Sequence, residues 1–264
     1  MNRLKENIKD LLKSVKGTYS FALEWRGERV TLQAEEKCEA ASLIKLPILL
    51  EAYHQYEEEK IDLHQPLTVP MEKRVGGSGV IAHLSSRIHF TLKDLLTLMI
   101  IVSDNTATNL VIEQLGMERV NRFCQLLGLK QTRLERLLFD QQAVNEGQNN
   151  YTSAHDMLIC LREITEGRWL SHANRADILH ILEAQQFTNK LPAQIVHYAD
   201  KDPIIAHKTG EVHRVEHDVG IIRYRGEQVL VAILLKDLHS NAVGRKAIAD
   251  IGQLILSAID TVLE

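Results

Sequence analysis

The 264-residue sequence has only three cysteines, Cys38, Cys124 and Cys160, an odd number with no C-x-x-C pair. A disulfide framework and a cysteine-based zinc site are thereby excluded, and each thiol reads as a small packing residue. No basic stripe with interleaved aromatics occurs, and the formal net charge is -4. Nucleic acid and anionic membrane surfaces are therefore poor partners. No run of about 18 apolar residues exists, so no membrane-spanning helix is expected. The twelve histidines include His213 and His217, four apart, but their surroundings read as strand or turn rather than helix. With no H-E-x-x-H and no accompanying acidic cluster, no metal is expected. The N-terminal MNRLKENIKDLLKSVKG carries charges every few residues and is not a signal peptide. As written, the chain is expected in the cytoplasm; a chain trimmed of its export signal, hence extracellular or periplasmic, would read the same.

What remains is an ordinary soluble composition, 45% hydrophobic and 25% charged, with enough chain for one large domain or two intimate ones. The N-terminal stretch is an amphipathic helix using Leu4, Ile8, Leu11 and Leu12. GTYSFALEW, RGE and RVTLQAE then read as strand, turn and strand. DVGIIRY, RGE and QVLVAILLKD repeat that design near the other end, the last arm apolar enough for a central strand. A final helix runs from SNAVGRKAIADIG, capped by Ser240 or Asn241. Between the hairpins helical patterns dominate, with Thr91 and Thr152 as starts and Gly116, Gly128 and Gly167 as stops. The expected fold is α+β. An antiparallel sheet from both chain ends (residues 1–41 and 196–264) is flanked by terminal helices, with a helical lobe (42–195) inserted and a cleft between them.

Within EAASLIKLPILLEAYHQY, Ser42 opens a helix that is apolar nearly all round, and Lys45 follows one turn later. A lysine there is costly unless paired, neutralised or used. The bland alternative is a snorkelling Lys45 and a capping Ser42. Two further short motifs follow in the chain: Ser103-Asp104-Asn105 between two helical patterns, and Lys208-Thr209-Gly210 after the strand-like PIIAH. Each alone is also a good cap or turn. Together they suggest a serine hydroxyl activated by a base in hydrogen-bond reach. Burial and a second cation, Lys208, would help Lys45 lose its proton.

The ordered set S-x-x-K, S-D-N, K-T-G resembles the penicillin-recognising serine hydrolases, class A β-lactamases in particular. The likeness extends over nearly the whole chain, including the DVGII segment. It implies Ser42 as acylated nucleophile, Lys45 as its activating partner, and Ser103 as a proton relay touching Lys208. Asn105 would bind the substrate's side-chain amide and steady Lys45; Lys208 and Thr209 would hold its carboxylate. Backbone N–H groups of Ser42 and of Glu211, the residue after Gly210, would form the oxyanion hole. Asp104 reads as a structural carboxylate bonded to nearby backbone.

The likeness breaks in TRLERLLFDQQAVNEGQNNYTSAHDM, where the family's E-x-x-L-N is missing. Leu137 or Leu138 falls where its water-orienting glutamate is expected. Asp140 is the nearest carboxylate and enters as a candidate catalytic group, while Gln141 or Gln142 could orient water without acting as a base. The family's Arg–Asp clamp would be Arg136 with Asn150, one charge short. Glu211 either disfavours anionic substrates or points outward, and Arg214 and His213 read as solvated strand-edge residues. The expected function is a serine β-lactamase acting through a Ser42 acyl-enzyme on a small-molecule β-lactam or related acyl substrate. A D,D-peptidase or esterase of the same fold, or a slowly deacylating penicillin-binding sensor, is the alternative. No cofactor is implied, and a monomer is expected.

Overall fold

The computed structural model describes residues 1–195 and 203–264. The chain runs α1 (Asn2–Ser14), β1 (Thr18–Trp25), β2 (Glu28–Leu32), β3 (Cys38–Glu39), a 3-10 turn (Ala41–Ile44), α2 (Lys45–Glu57), β4 (Pro66–Thr68) and β5 (His89–Thr91). It continues through α3 (Leu92–Ile101), α4 (Asn105–Leu115), α5 (Met117–Leu126), α6 (Gln141–Asn145), β6 (Tyr151–Thr152), α7 (Ala154–Glu166) and α8 (His172–Glu183). The last elements are β7 (Ile204–Val212), β8 (Val215–Tyr224), β9 (Glu227–Lys236) and α9 (Asn241–Leu263).

The five-stranded sheet has the order β2-β1-β9-β8-β7, and every neighbouring pair is antiparallel. Both RGE turns place Arg and Gly at positive φ, Arg26 and Gly27 in one and Arg225 and Gly226 in the other. That backbone matches the strand twist, and glycine adopts it without a Cβ penalty. In β9, Val229, Val231, Ile233 and Leu235 face one core while Leu230, Ala232 and Leu234 face another. Both faces are covered, as its unbroken apolar sequence requires. Leu4, Ile8 and Leu12 of α1 and Ile248, Ile251, Ile255 and Ile259 of α9 close the first core. The helical block closes the second, with α7 against β1 and β9 and α8 against β7.

Thr91 starts α3 with a full capping box, its side chain and that of Asp94 each taking the other's backbone N–H. Ser153 rather than Thr152 caps α7; Thr152 is held in β6, opposite Cys38, with its hydroxyl on Thr132. Ser240 caps α9, which frees the Asn241 amide to bond Val212 O, Val215 O and Glu216. The loop before β6 is anchored by the buried Asp156, which accepts from the N–H groups of Lys130, Gln131 and Thr132 and from the Thr132 hydroxyl. Removing that carboxylate strands buried donors. Asp156→Ala is expected to lower stability by about 3 kcal/mol, read from its thermal midpoint against wild type.

Candidate active site

Ser42 sits within the 3-10 turn that leads into α2 and makes no cap hydrogen bond there. Ala41, just before it, has φ 44, a left-handed conformation that a non-glycine residue adopts at a cost. The turn is fixed by Leu43 N–H donating to Ala40 O at 2.9 Å and Ala40 N–H to Asn150 O at 2.8 Å. Leu43, Ile44, Leu46, Ile48, Leu49 and Leu50 are completely buried around it.

Lys45 does not snorkel. It is 0% exposed, and its Nζ meets Ser103 O at 2.7 Å, Ser103 Oγ at 3.0 Å and Asn105 Oδ1 at 2.9 Å. Burial, and then the charge of Lys208, push its pKa well below the ordinary lysine range, against a weaker pull from Asp104. Lys208 approaches from β7, with Nζ 3.2 Å from the same Ser103 Oγ and 2.9 Å from Thr209 O. Burial first and the charge of Lys190 second lower its pKa to about 7. A neutral Lys45 has two N–H groups and a lone pair for its three contacts. In that state the Ser103 hydroxyl donates to Lys45 and accepts from Lys208, a continuous path for a proton.

Asp104 caps α4 by accepting from Ala107 N–H at 2.9 Å. Its other oxygen accepts from Val80 and Ile81 N–H at 2.7 and 2.9 Å. Those bonds draw the Gly76-Gly77-Ser78-Gly79 segment to the cleft, where Asn105 donates to Gly76 O and Ser78 O accepts from Asn105 N–H. A Cβ on Gly79 (φ 121) would lie 2.4 Å from the Asp104 carboxyl. Sequence reading missed Ser78, whose visible signal is this glycine run.

Lys208-Thr209-Gly210 lies inside strand β7; the turn falls later, at His213 and Arg214. A Cβ on Gly210 would stand 3.2 Å from Leu43, so glycine lets β7 close on the residue after Ser42. Ser42, Ser78, Ser103, Thr209 and Glu211 line one cavity of about 660 Å³. Ser42, Asn105, Leu138, Phe139 and Asp140 line an adjoining one of about 390 Å³.

Leu138, and not Leu137, shares the smaller cavity with Ser42, and Asn109, one turn beyond Asn105, grips its backbone. The Asn109 amide donates to Leu138 O at 3.0 Å and accepts from Leu138 N–H at 2.8 Å. Asp140 caps α6, with a carboxylate oxygen accepting from Ala143 N–H at 3.0 Å. The expected Arg136–Asn150 clamp is rearranged. Arg136 bonds the Asn149 side chain, while the Asn150 amide takes the backbone of Glu135 and Arg136. An amide can donate and accept along a chain, which a carboxylate cannot.

Glu211 lines both cavities, and its carboxylate lies 3.5 Å from Lys190 Nζ and 3.4 Å from Arg245. Arg214 turns away, its guanidinium on the carbonyls of Leu238 and Asp237. His213 lines the larger of the two cavities. His217 is buried, donating to Glu39 O and accepting from Leu235 N–H; burial foremost drives its pKa down to about 4. Both ring nitrogens are occupied by backbone, and among the described residues no group of three potential metal ligands occurs.

A match to the Beta-lactamase enzyme family spans residues 3–259, and the chain belongs to that family. The extended-spectrum β-lactamase PER-1 of Pseudomonas aeruginosa is 25% identical over 95% of this chain and 85% of its own. A β-lactamase from Sphaerobacter thermophilus shares 27% identity at TM-score 0.89, covering 97% of this chain and 96% of that one. PBP-A matches at 25% identity and TM-score 0.88, covering 99% of this chain and 97% of that one. A leucine-to-glutamate mutant of PBP-A, solved as an acyl-enzyme complex with penicillin G, has the same TM-score at 24% identity, with the same coverage. No described helix is long and apolar enough to cross a membrane.

The buried lysines give stability a defined pH dependence. An unfolded chain holds the Lys208 proton up to 10.5, whereas the folded chain releases it from about 7. Between those values the unfolded state binds more protons, so the contribution of this residue to stability rises with pH. Wild-type stability relative to Lys208→Met is expected to climb from about pH 7 to about pH 10, read from chemical-denaturation midpoints. A difference that stays flat would show that Lys208 keeps its proton.

Proposed function

We propose that the protein is a serine β-lactamase that opens the lactam amide by acylating Ser42 and clears the acyl group slowly. The observation that carries the first half is the shared Ser103 hydroxyl, within hydrogen-bond reach of both Lys45 and Lys208. Lys45, whose proton is easily lost, turns its lone pair from Ser103 to the Ser42 hydroxyl and takes that proton as Oγ attacks the lactam carbonyl. The N–H groups of Ser42 and Glu211 hold the developing oxyanion. As the C–N bond breaks, the proton passes from Lys45 through Ser103 to the departing nitrogen, leaving an ester on Ser42. Lys208 and Thr209 hold the substrate carboxylate, and Asn105 the acyl amide.

Leu138 carries the second half. An apolar side chain in the cavity it shares with Ser42 neither orients water nor accepts its proton, and we assign Asp140 to capping the loop helix.

Intact-mass time courses with excess benzylpenicillin test both halves. Wild type is expected to form a penicilloyl adduct that persists long after mixing, and Ser42→Ala to form none while keeping its thermal midpoint. Labelling of that variant would mean a different nucleophile. Leu138→Glu is expected to speed loss of the adduct by about 100-fold or more, the size of a general-base contribution. Asp140→Asn is expected to leave that loss unchanged; slower clearing would return Asp140 to the mechanism.

A further inference from the structure

We propose that Lys190 is a positioning residue for the oxyanion hole, acting through the Gly210–Glu211 peptide. The inference rests on the acyl-enzyme reading above. Lys190 is 1% exposed, and no reading of the sequence singled it out. Its ammonium donates to Gly210 O at 2.9 Å, lies 3.4 Å from His217 O and pairs with the buried Glu216. Gly210 O and Glu211 N–H belong to one planar amide. The described residues contain no cis peptide, so oxygen and N–H point to opposite sides of that amide. A cation on the oxygen draws electron density from the nitrogen and makes the N–H on the other side a stronger donor.

The same contact fixes the plane of that peptide. β7 is one of the two edge strands, supported by a neighbour on one side only, and Gly210 is its least constrained residue. Lys190 is itself held firmly. Glu216, which pairs with it, also accepts from Arg245 at 2.8 Å and Asn241 at 3.0 Å. Leu191 N–H donates to Asp218 at 3.0 Å. On α9, a Cβ at Gly252 would lie 2.2 Å from Leu191 O, so only glycine allows the helix this close. The Lys190 charge matters most when negative charge builds on the reacting oxygen, and its effect therefore falls on the acylation step rather than on substrate binding.

The test compares wild type, Glu216→Gln, and the charge-balanced double variant Lys190→Met with Glu216→Gln, which leaves no buried carboxylate orphaned. Benzylpenicillin acylation is followed at several concentrations to separate the rate constant from the binding constant. The double variant is expected to acylate about ten-fold more slowly with binding little changed, a fraction of the loss seen when an oxyanion donor is removed outright. Glu216→Gln alone removes the buried partner of Lys190 but keeps the ammonium that donates to Gly210 O, and is expected to slow acylation less than the double variant does. Infrared difference spectra of the Ser42 ester supply a second readout: its carbonyl stretch should rise in the double variant as the donor weakens. If that variant folds poorly, Lys190→Gln, which keeps a donor without charge, is expected to show the same changes at smaller size. An acylating wild type whose Lys190 variants match it in rate and carbonyl stretch overturns the inference alone. A wild type that takes no acyl group overturns the functional reading and this inference with it.

Discussion

Two ammonium groups, both on fully buried lysines, converge on one hydroxyl, that of Ser103. Like charges at such range in a low-dielectric site cannot both persist, so the arrangement favours loss of at least one proton. Much of the surrounding structure serves to keep the two nitrogens there. The apolar packing of α2 denies Lys45 an exit. The turn at Ser103, itself at φ 54, aims both its carbonyl and its hydroxyl at that lysine. β7 brings Lys208 from the opposite wall. The helices and the sheet thus each hold one half of an electrostatic pair that neither would hold alone.

Much of this was legible in the sequence for local reasons. Alternation and continuous apolar runs marked the strands, Arg-Gly turns marked two hairpins, and an unexplained lysine in an apolar helix marked the site. The misses have tertiary causes. Lys208-Thr209-Gly210 looks like a turn in isolation, but nine residues pair with β8 and draw it into a strand. Arg136 prefers Asn149 because the Asn150 amide is taken by loop backbone, which no spacing rule reveals. Lys190 has no signature in TNKLP; its meaning arises only where Gly210, Glu216 and His217 meet it from two strands. Ser78 likewise needed Asp104 to pull its glycine-rich segment across.

The loop carrying Leu138 shows how a backbone can be specified without regard to what it presents. Asn109, Asn150 and Asp156 hold it through peptide groups, and Arg136 is spent on the neighbouring Asn149. None of these bonds involves the Leu138 side chain. The chemistry displayed to Ser42 and the path of the chain are therefore separately encoded.

The sheet order also bears on how the protein is made. β1 finds its partner in β9, with Thr18 opposite Lys236 and Trp25 opposite Val229, roughly 200 residues further along the chain. On the ribosome the first hairpin is complete early, yet one of its edges must wait unpaired through synthesis of the whole helical block. Pairing over so long a span is slow, because loop closure precedes the contacts that reward it. Lys208 and Gly210 arrive in that same late segment. The helix carrying Lys45 can form well before the cation opposite it exists, so the two ammonium groups meet at Ser103 only as the last strands dock.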